Sequence, residues 1–251
     1  MSANALLLAG GTPLIKVDAA DFDGTNDRMS RGAGLSGVSD GGSGILSLWF
    51  RIDGGALGGT GIRQILASYN GLIGVIFASD NNVLFQLADV TETATFQMRT
   101  TSGYAPSATW RHLLASWNID TSATHLYITD ASDKTLDTIG LSPLDYTDTN
   151  WAIGDIAVGT AKFNGCLAEF YFAPNQYLDF SDVNNRRKFI SAGGKPVHLG
   201  VDGSLPTGTA PAIYQHLDDG EAVANFATNR GTGGNFAITG TLDTASTSPS
   251  D

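Results

Sequence analysis

At 251 residues, 42% apolar and only 16% charged, the chain is long enough to bury a full core without a disulfide staple, and its single cysteine could form none internally. The 25 acidic against 14 basic residues give a formal net charge of −11, which argues against a nucleic-acid partner, because affinity for phosphates needs basic clusters and Arg186-Arg187-Lys188 is the only one. No apolar run approaches the ~18 residues of a membrane span, and Met1–Gly11 carries Leu6-Leu7-Leu8 with no basic region before it, so neither membrane insertion nor a secretory signal peptide is expected.

Along the chain, apolar residues fall in short segments broken by turn residues. The 31 glycines have no collagen period, and every acid except Glu92, Glu169 and Glu221 is an aspartate; both biases favour tight turns over helix. Ile45–Phe50 has the pattern of a strand covered on both faces. Gln64–Tyr69 and Leu72–Phe77 flank Asn70-Gly71, whose tolerance of positive φ predicts a two-residue hairpin. Asp80-Asn81-Asn82 then turns the chain into a strand at Val83–Leu87. Further strands are expected at Thr95–Arg99, Trp110–Trp117, His125–Thr129, Trp151–Val158 and Leu167–Phe172. A helix is expected at about 182–191, capped by Ser181, with acid at its start, bases in its last turn and Gly193-Gly194 beyond it. After Lys195-Pro196 the composition shifts to Gly, Thr, Ala and Pro. Residues 196–251 read as an extended arm with a few edge strands, such as Phe236–Thr239, and a loose end from Thr244. The pattern predicts an all-β fold: an antiparallel β-sandwich of jelly-roll type over residues 1–195, its core at about 12–175, with one short helix and the C-terminal arm.

Residues able to carry catalysis do not assemble in the sequence. Gly37-Val38-Ser39-Asp40-Gly41 matches the G-x-S-x-G elbow, but that elbow needs a strand before the serine and a helix after it, and glycine loops flank it here. His112, His125, His198 and His216 have no metal-ligand spacing, and Gly194-Lys195 is followed by proline rather than the hydroxyl residue of a phosphate loop. Cys166 lies in an apolar run and reads as a buried small hydrophobe. Retaining glycosidases need two carboxylates about 5–5.5 Å apart. Glu169 is the one glutamate in a strong strand, and its same-face neighbours at 167, 171 and 173 are Leu, Tyr and Ala. No enzymatic activity is therefore expected. Calcium is the one cofactor the acids suggest: the segment Asp21–Asp27, with Asp23 and Asp27 as ligands, concentrates hard oxygen donors within one turn, and Asp218-Asp219-Gly220-Glu221 does so again. Solvated turns have the same composition.

Five pieces occur in order: Phe22-Asp23-Gly24-Thr25-Asn26-Asp27; Leu46-Ser47-Leu48-Trp49-Phe50; Trp110-Arg111-His112-Leu113 through Trp117; Thr124-His125-Leu126-Tyr127-Ile128; and Phe163-Asn164-Gly165-Cys166-Leu167-Ala168-Glu169-Phe170-Tyr171-Phe172. Together they resemble the laminin-G-like, concanavalin A-like sandwich domains of many extracellular and phage proteins, over about residues 15–175. The resemblance implies core roles for Trp110 and His112, and calcium at a loop rim in some members, to which Asp23 and Asp27 are loosely placed. Val201–Gly208, Asn229–Phe236 and the closing Ser248-Pro249-Ser250-Asp251 resemble the ends of such proteins in tailed phages and prophages.

This second resemblance implies a virion structural protein: a capsid decoration, head-fibre or tail-associated subunit. It would be made in the host cytoplasm and located in the virion, with other virion proteins and copies of itself as partners, contacted through the arm. The alternative is a carbohydrate-binding adhesin reading host surface glycans with Tyr69 or Tyr104. A polysaccharide-degrading enzyme ranks third, for want of the second carboxylate.

Overall fold

The computed structural model describes residues 14–54, 63–68, 74–77, 80–140, 143–156, 159 and 161–251. Among these, the strands, numbered β1 to β16 in chain order, form two antiparallel sheets packed face to face. The first runs β10 (Ala131–Ser132), β9 (Ala123–Ile128), β8 (Arg111–Asn118), β3 (Ser43–Ile52), β13 (Asn164–Pro174), β1 (Ala20–Asp23), β16 (Asp243–Thr244), with β14 (Ile213–Gln215) also on β13. The second runs β11 (Leu136–Ile139), β7 (Ala94–Gly103), β6 (Asn82–Ala88), β5 (Gly74–Phe77), β4 (Arg63–Ala67), β12 (Trp151–Ile153), β2 (Arg28–Arg31), β15 (Ala237–Thr239). This is the expected jelly-roll sandwich. The proposed Asn70-Gly71 turn lies outside the described residues, but the strands flanking it, β4 and β5, pair antiparallel.

The unbroken apolar run in β3 has its reason in a third layer. Leu46, Leu48, Phe50 and Ile52 point between the sheets, into the main core with Phe85, Phe96, Trp117 and Phe172. Ile45 and Trp49 point the other way, beneath Phe180, Phe189, Ile190 and Val197 of the segment that follows β13. His112 is buried in this layer, bonded to Ser47 Oγ at 2.8 Å and packed on Trp49, and burial lowers its pKa to about 3, so it is neutral. The helix α1 (Val183–Arg186) is shorter than the expected 182–191. Asp182, not Ser181, caps it, accepting from the Asn184 amide at 2.9 Å, while the Ser181 hydroxyl donates to Asp179. Past Arg187 the chain turns so that Phe189 and Ile190 reach the sheet. Arg186 and Arg187 both pair with Asp130, at 2.7 and 2.6 Å, fastening α1 to the β9–β10 turn.

A bulge in β13 organises the rest. The register with β3 shifts between Ala168 and Tyr171, and Glu169 has φ of 49°. Leu167, Phe170 and Phe172 thereby all face the main core, and Ala168 and Tyr171 the outer layer. β1 pairs with β13 before the bulge and β14 after it.

The arm is integrated into the sandwich. β14 extends the first sheet, β16 closes that sheet's edge on β1, and β15 closes the second sheet's edge on β2. The end expected to be loose is packed: Ser248 is buried, Ser250 Oγ accepts from the Val17 amide at 2.9 Å, and Thr247 is bonded to both Arg51 and Trp110. Closing sheet edges satisfies backbone groups that would otherwise be open to pairing with other chains.

Candidate functional site

One row of side chains crosses three neighbouring strands. Asp21 in β1 lies opposite Cys166 in β13, which lies opposite Arg51 in β3. The flanking residues Ala20, Phe22, Leu167, Phe50 and Ile52 face the main core, so period-two alternation turns the row outward. Arg51, 8% exposed, grips Asp53 through two bonds of 2.7 Å, one from Nε to Oδ1 and one from Nη2 to Oδ2. Its Nη2 also approaches Cys166 Sγ at 3.1 Å, and its Nη1 donates to Thr247 Oγ1. The Trp110 ring lies 5.7 Å from the guanidinium, and its Nε1 donates to the same Thr247 hydroxyl at 3.1 Å.

Above this row opens a cleft of about 410 Å3, lined by Arg51, Asp53, the Pro106–Ala108 loop, Ser246 and Thr247. The loop is pinned by the Ser107 amide to the Ile52 carbonyl at 2.8 Å. The arm wall is brought in by β16, whose pairing with β1 sets Asp243 opposite Asp21. The Asp53 side chain is 30% exposed. The cleft thus offers a fixed carboxylate, three hydroxyls and an apolar wall of Pro106 and Ala108.

Asp21, Asp53 and Cys166 place their ligand atoms within 4.8 Å of one another, as a metal site would. The chemistry does not fit one, because the Arg51 guanidinium already supplies the positive charge there. Burial and the charges of Asp21 and Asp53 push the Cys166 thiol far above its ordinary pKa. Burial and Asp53 also push Asp21 up.

The residues singled out from sequence are placed as follows. Asp23 Oδ1 accepts from the amides of Thr25, Asn26 and Asp27 at 2.6, 3.1 and 3.4 Å. Asp27 is buried; its Oδ2 accepts from the Asp23 amide and its Oδ1 from the Thr241 amide at 2.8 Å. Oxygens turned to amides in this way clasp the turn and tie it to the arm. Burial raises the Asp23 pKa, but the three amide bonds outweigh it and hold the carboxyl below its usual value. Asp23→Ala is expected to cost about 1 kcal/mol, equally in calcium and in chelator. A wild-type melting temperature that rises with calcium, and an Asp23→Ala variant that does not respond, would restore the calcium reading.

In the second acidic turn, Asp218 and Glu221 pair with Arg230, and Asp219 pairs with Lys16. Tyr104 is half-buried: its hydroxyl donates to Asp133, its ring meets Phe50 edge-on, and the Arg111 guanidinium sits 5.2 Å over its centroid. Tyr69 lies outside the described residues. Among the described residues the exposed large apolar side chains are Leu14, Val90, Val183, Val201 and Leu205, none aromatic. The G-x-S-x-G segment is a loop, with Gly37 at φ 72° and the Asp40 carboxylate accepting from the Tyr146 and Thr147 amides.

Sequence reasoning did not select Arg51, Asp53, Ser107, Ser246 or Thr247. Arg51 and Asp53 two apart at the end of an apolar strand was the available signal. Nothing in the Gly/Thr-rich arm marks Ser246 and Thr247, whose place depends on β16.

No protein-family model matches the sequence, and no curated protein matches it. Among solved structures the chain is similar to a candidate carbohydrate-binding protein from Bacteroides ovatus ATCC 8483, at 15% identity and a TM-score of 0.63, over 93% of this chain and 60% of that one. It is also similar to a heptameric, SAP-like pentraxin from Limulus polyphemus, at 10% identity and a TM-score of 0.48, over 68% of this chain and 82% of that one. Domains LG4-5 of the mouse laminin alpha1 chain match at 15% identity and a TM-score of 0.42, over 65% of this chain and 43% of theirs. The first likeness shows the fold, and the chain spans 60% of that protein's length.

Proposed function

We propose that the chain is a non-catalytic carbohydrate-binding module whose ligand seats in the Arg51–Asp53 cleft. The observation that carries this reading is the bidentate Arg51–Asp53 pair at the cleft floor, open to solvent on the carboxylate side. Asp53 is held in one orientation by a guanidinium and retains lone pairs for sugar hydroxyls, and a charged acceptor forms the stronger class of hydrogen bond. Ser107, Ser246 and Thr247 add hydroxyls that can donate or accept, and Pro106 and Ala108 suit the C–H face of a pyranose. The shared fold with a candidate carbohydrate-binding protein supports the same reading.

Hydrolysis would need two carboxylates flanking the bond. Among the described residues Asp53 is the only carboxylate in the lining, and Arg51 engages both of its oxygens; Asp21 is not part of the lining. The virion expectation placed the arm against neighbouring subunits; within residues 213–251, β14, β15 and β16 also pair with both sheets of their own chain.

A glycan array tests the proposal. Ser246 is exposed, so Ser246→Trp should fill the cleft without disturbing the fold. That variant and Asp53→Asn are each expected to weaken binding of at least one glycan by roughly tenfold or more. Wild-type protein that binds nothing on the array, or variants that bind as well as wild type, would end this reading.

A further inference from the structure

A second cleft, of about 460 Å3, lies where β13 ends. It is bounded by the loop 37–39, by Pro174, Asn175 and Gln176, and by the arm at 209–212 and Thr232. β13 passes beneath the first cleft at Cys166, so at about 3.3 Å per residue the two clefts stand on the order of 30 Å apart, at opposite ends of the sandwich.

The walls of this second cleft are tied to one another by carboxamides. Asn175 Nδ2 donates to the Ser39 carbonyl at 2.7 Å, joining β13 to the loop. Gln176 Nε2 donates to the Ala210 carbonyl at 3.1 Å while its Oε1 accepts from Thr207 at 2.5 Å, joining β13 to the arm. Asn175 takes the left-handed conformation, φ 61°, which sets its amide over Gly41, where a Cβ would stand 1.8 Å from Oδ1. A left-handed residue and a glycine that must stay bare are the kind of local constraint found where a surface is shaped for a ligand. The geometry is fixed before any ligand arrives, which lowers the entropy cost of binding.

Among the described residues the lining contains no ionisable side chain, in contrast to the first cleft. A charged ligand would find no countercharge there, and burying an unpaired charge is costly. A wholly apolar ligand would cover the hydrogen-bonding capacity of the carboxamides and of the Ser39, Thr209 and Thr232 hydroxyls that the wall contacts use only in part. A neutral polyol avoids both costs. Gln176 spends one hydrogen of its Nε2 and one lone pair of its Oε1 on the walls, which leaves a donor and an acceptor side by side to match adjacent ring hydroxyls, and Val38, Pro174 and Ala212 supply the apolar contact.

We propose that this cleft is a second binding site, specific for a neutral saccharide, built jointly by the sandwich and the arm. It is independent of the Arg51–Asp53 site, and the two together make the module bivalent along the length of β13.

The test is an array of neutral oligosaccharides beside uronate- and sialate-containing ones, probed with wild type, Thr209→Trp and Ser246→Trp. Both substituted positions are exposed, and an unchanged melting temperature verifies each fold. Thr209→Trp is expected to lose neutral-glycan binding by roughly tenfold or more, with Ser246→Trp keeping at least part of it within about twofold of wild type. The proposal fails if wild type binds no neutral glycan, or if every neutral signal survives Thr209→Trp. Loss of all binding in Ser246→Trp alone would overturn the second site and leave the first standing. Loss in Thr209→Trp alone would do the reverse.

Discussion

Trp117→Ala is expected to lower stability by about 3–5 kcal/mol, among the largest losses a single truncation produces. Trp117 is fully buried among Phe85, Phe96 and Phe172, with ring centroids 4.8, 5.8 and 6.4 Å away. Its indole donates to Tyr146 Oη at 2.8 Å, and that hydroxyl donates to the Ser43 carbonyl at 2.8 Å, so truncation leaves a polar relay without its donor as well as a cavity. The backbone is shaped around the ring, since a Cβ on Gly44 would come within 2.1 Å of it. Chemical denaturation reads the effect as a fall in the midpoint at unchanged slope. A loss below about 1 kcal/mol would mean the sheets close over the void, contrary to the close packing described.

His216→Gln is expected to cost about 3–5 kcal/mol at roughly pH 6, as breaking a buried ion pair does. His216 Nδ1 meets Glu169 and Nε2 meets Asp218 at 3.0 Å, so both ring nitrogens face carboxylates, an arrangement that favours the imidazolium. Burial lowers the histidine pKa, but Glu169 and then Asp218 outweigh it and hold the value above normal. Tyr214 stacks on the ring at 5.5 Å and donates to Glu169 at 3.1 Å, while Arg230 pairs with Asp218 and slightly opposes the proton. Most of the effect lies in the Glu169 contact, because Asp218 is 70% exposed and screened. A histidine pKa raised by folding adds stability that is fully present below the unfolded value, about 6.5, and is lost as pH climbs through the folded value. Wild type should therefore weaken from near neutrality upward, and His216→Gln should lack that segment of the curve. Parallel curves for the two proteins across that range would show that His216 is not held as an imidazolium.

This network also marks the limit of reading alternation. Period two groups Glu169 with Leu167 and Tyr171, and on that face it has no partner. The bulge at Glu169 removes it from that set and turns it toward Tyr214 of the neighbouring strand β14 and His216 just beyond that strand, 45 and 47 residues away. Likewise the helix start was visible in the sequence, but its cap is Asp182 and not the expected Ser181. The choice followed from Asp179, which engages Ser181.

Local signals along the chain carry the all-β character, most strand positions and the third layer's apolar demand. Strand alternation, aspartate- and glycine-rich turns, and a β3 too apolar for one solvated face are local signals, and burial acts on them residue by residue. The sequence also determined the acidic surface that disfavours nucleic acid. Only the tertiary structure decided where the arm goes and what the clefts are made of. Arg51 meets Thr247 across 196 residues, and Asn175 meets Ser39 across 136. A Gly/Thr-rich segment can pair with any open sheet edge. Which edge it takes is settled by the two sheets already formed, whose registers place β14 beside the bulge, β16 on β1 and β15 on β2.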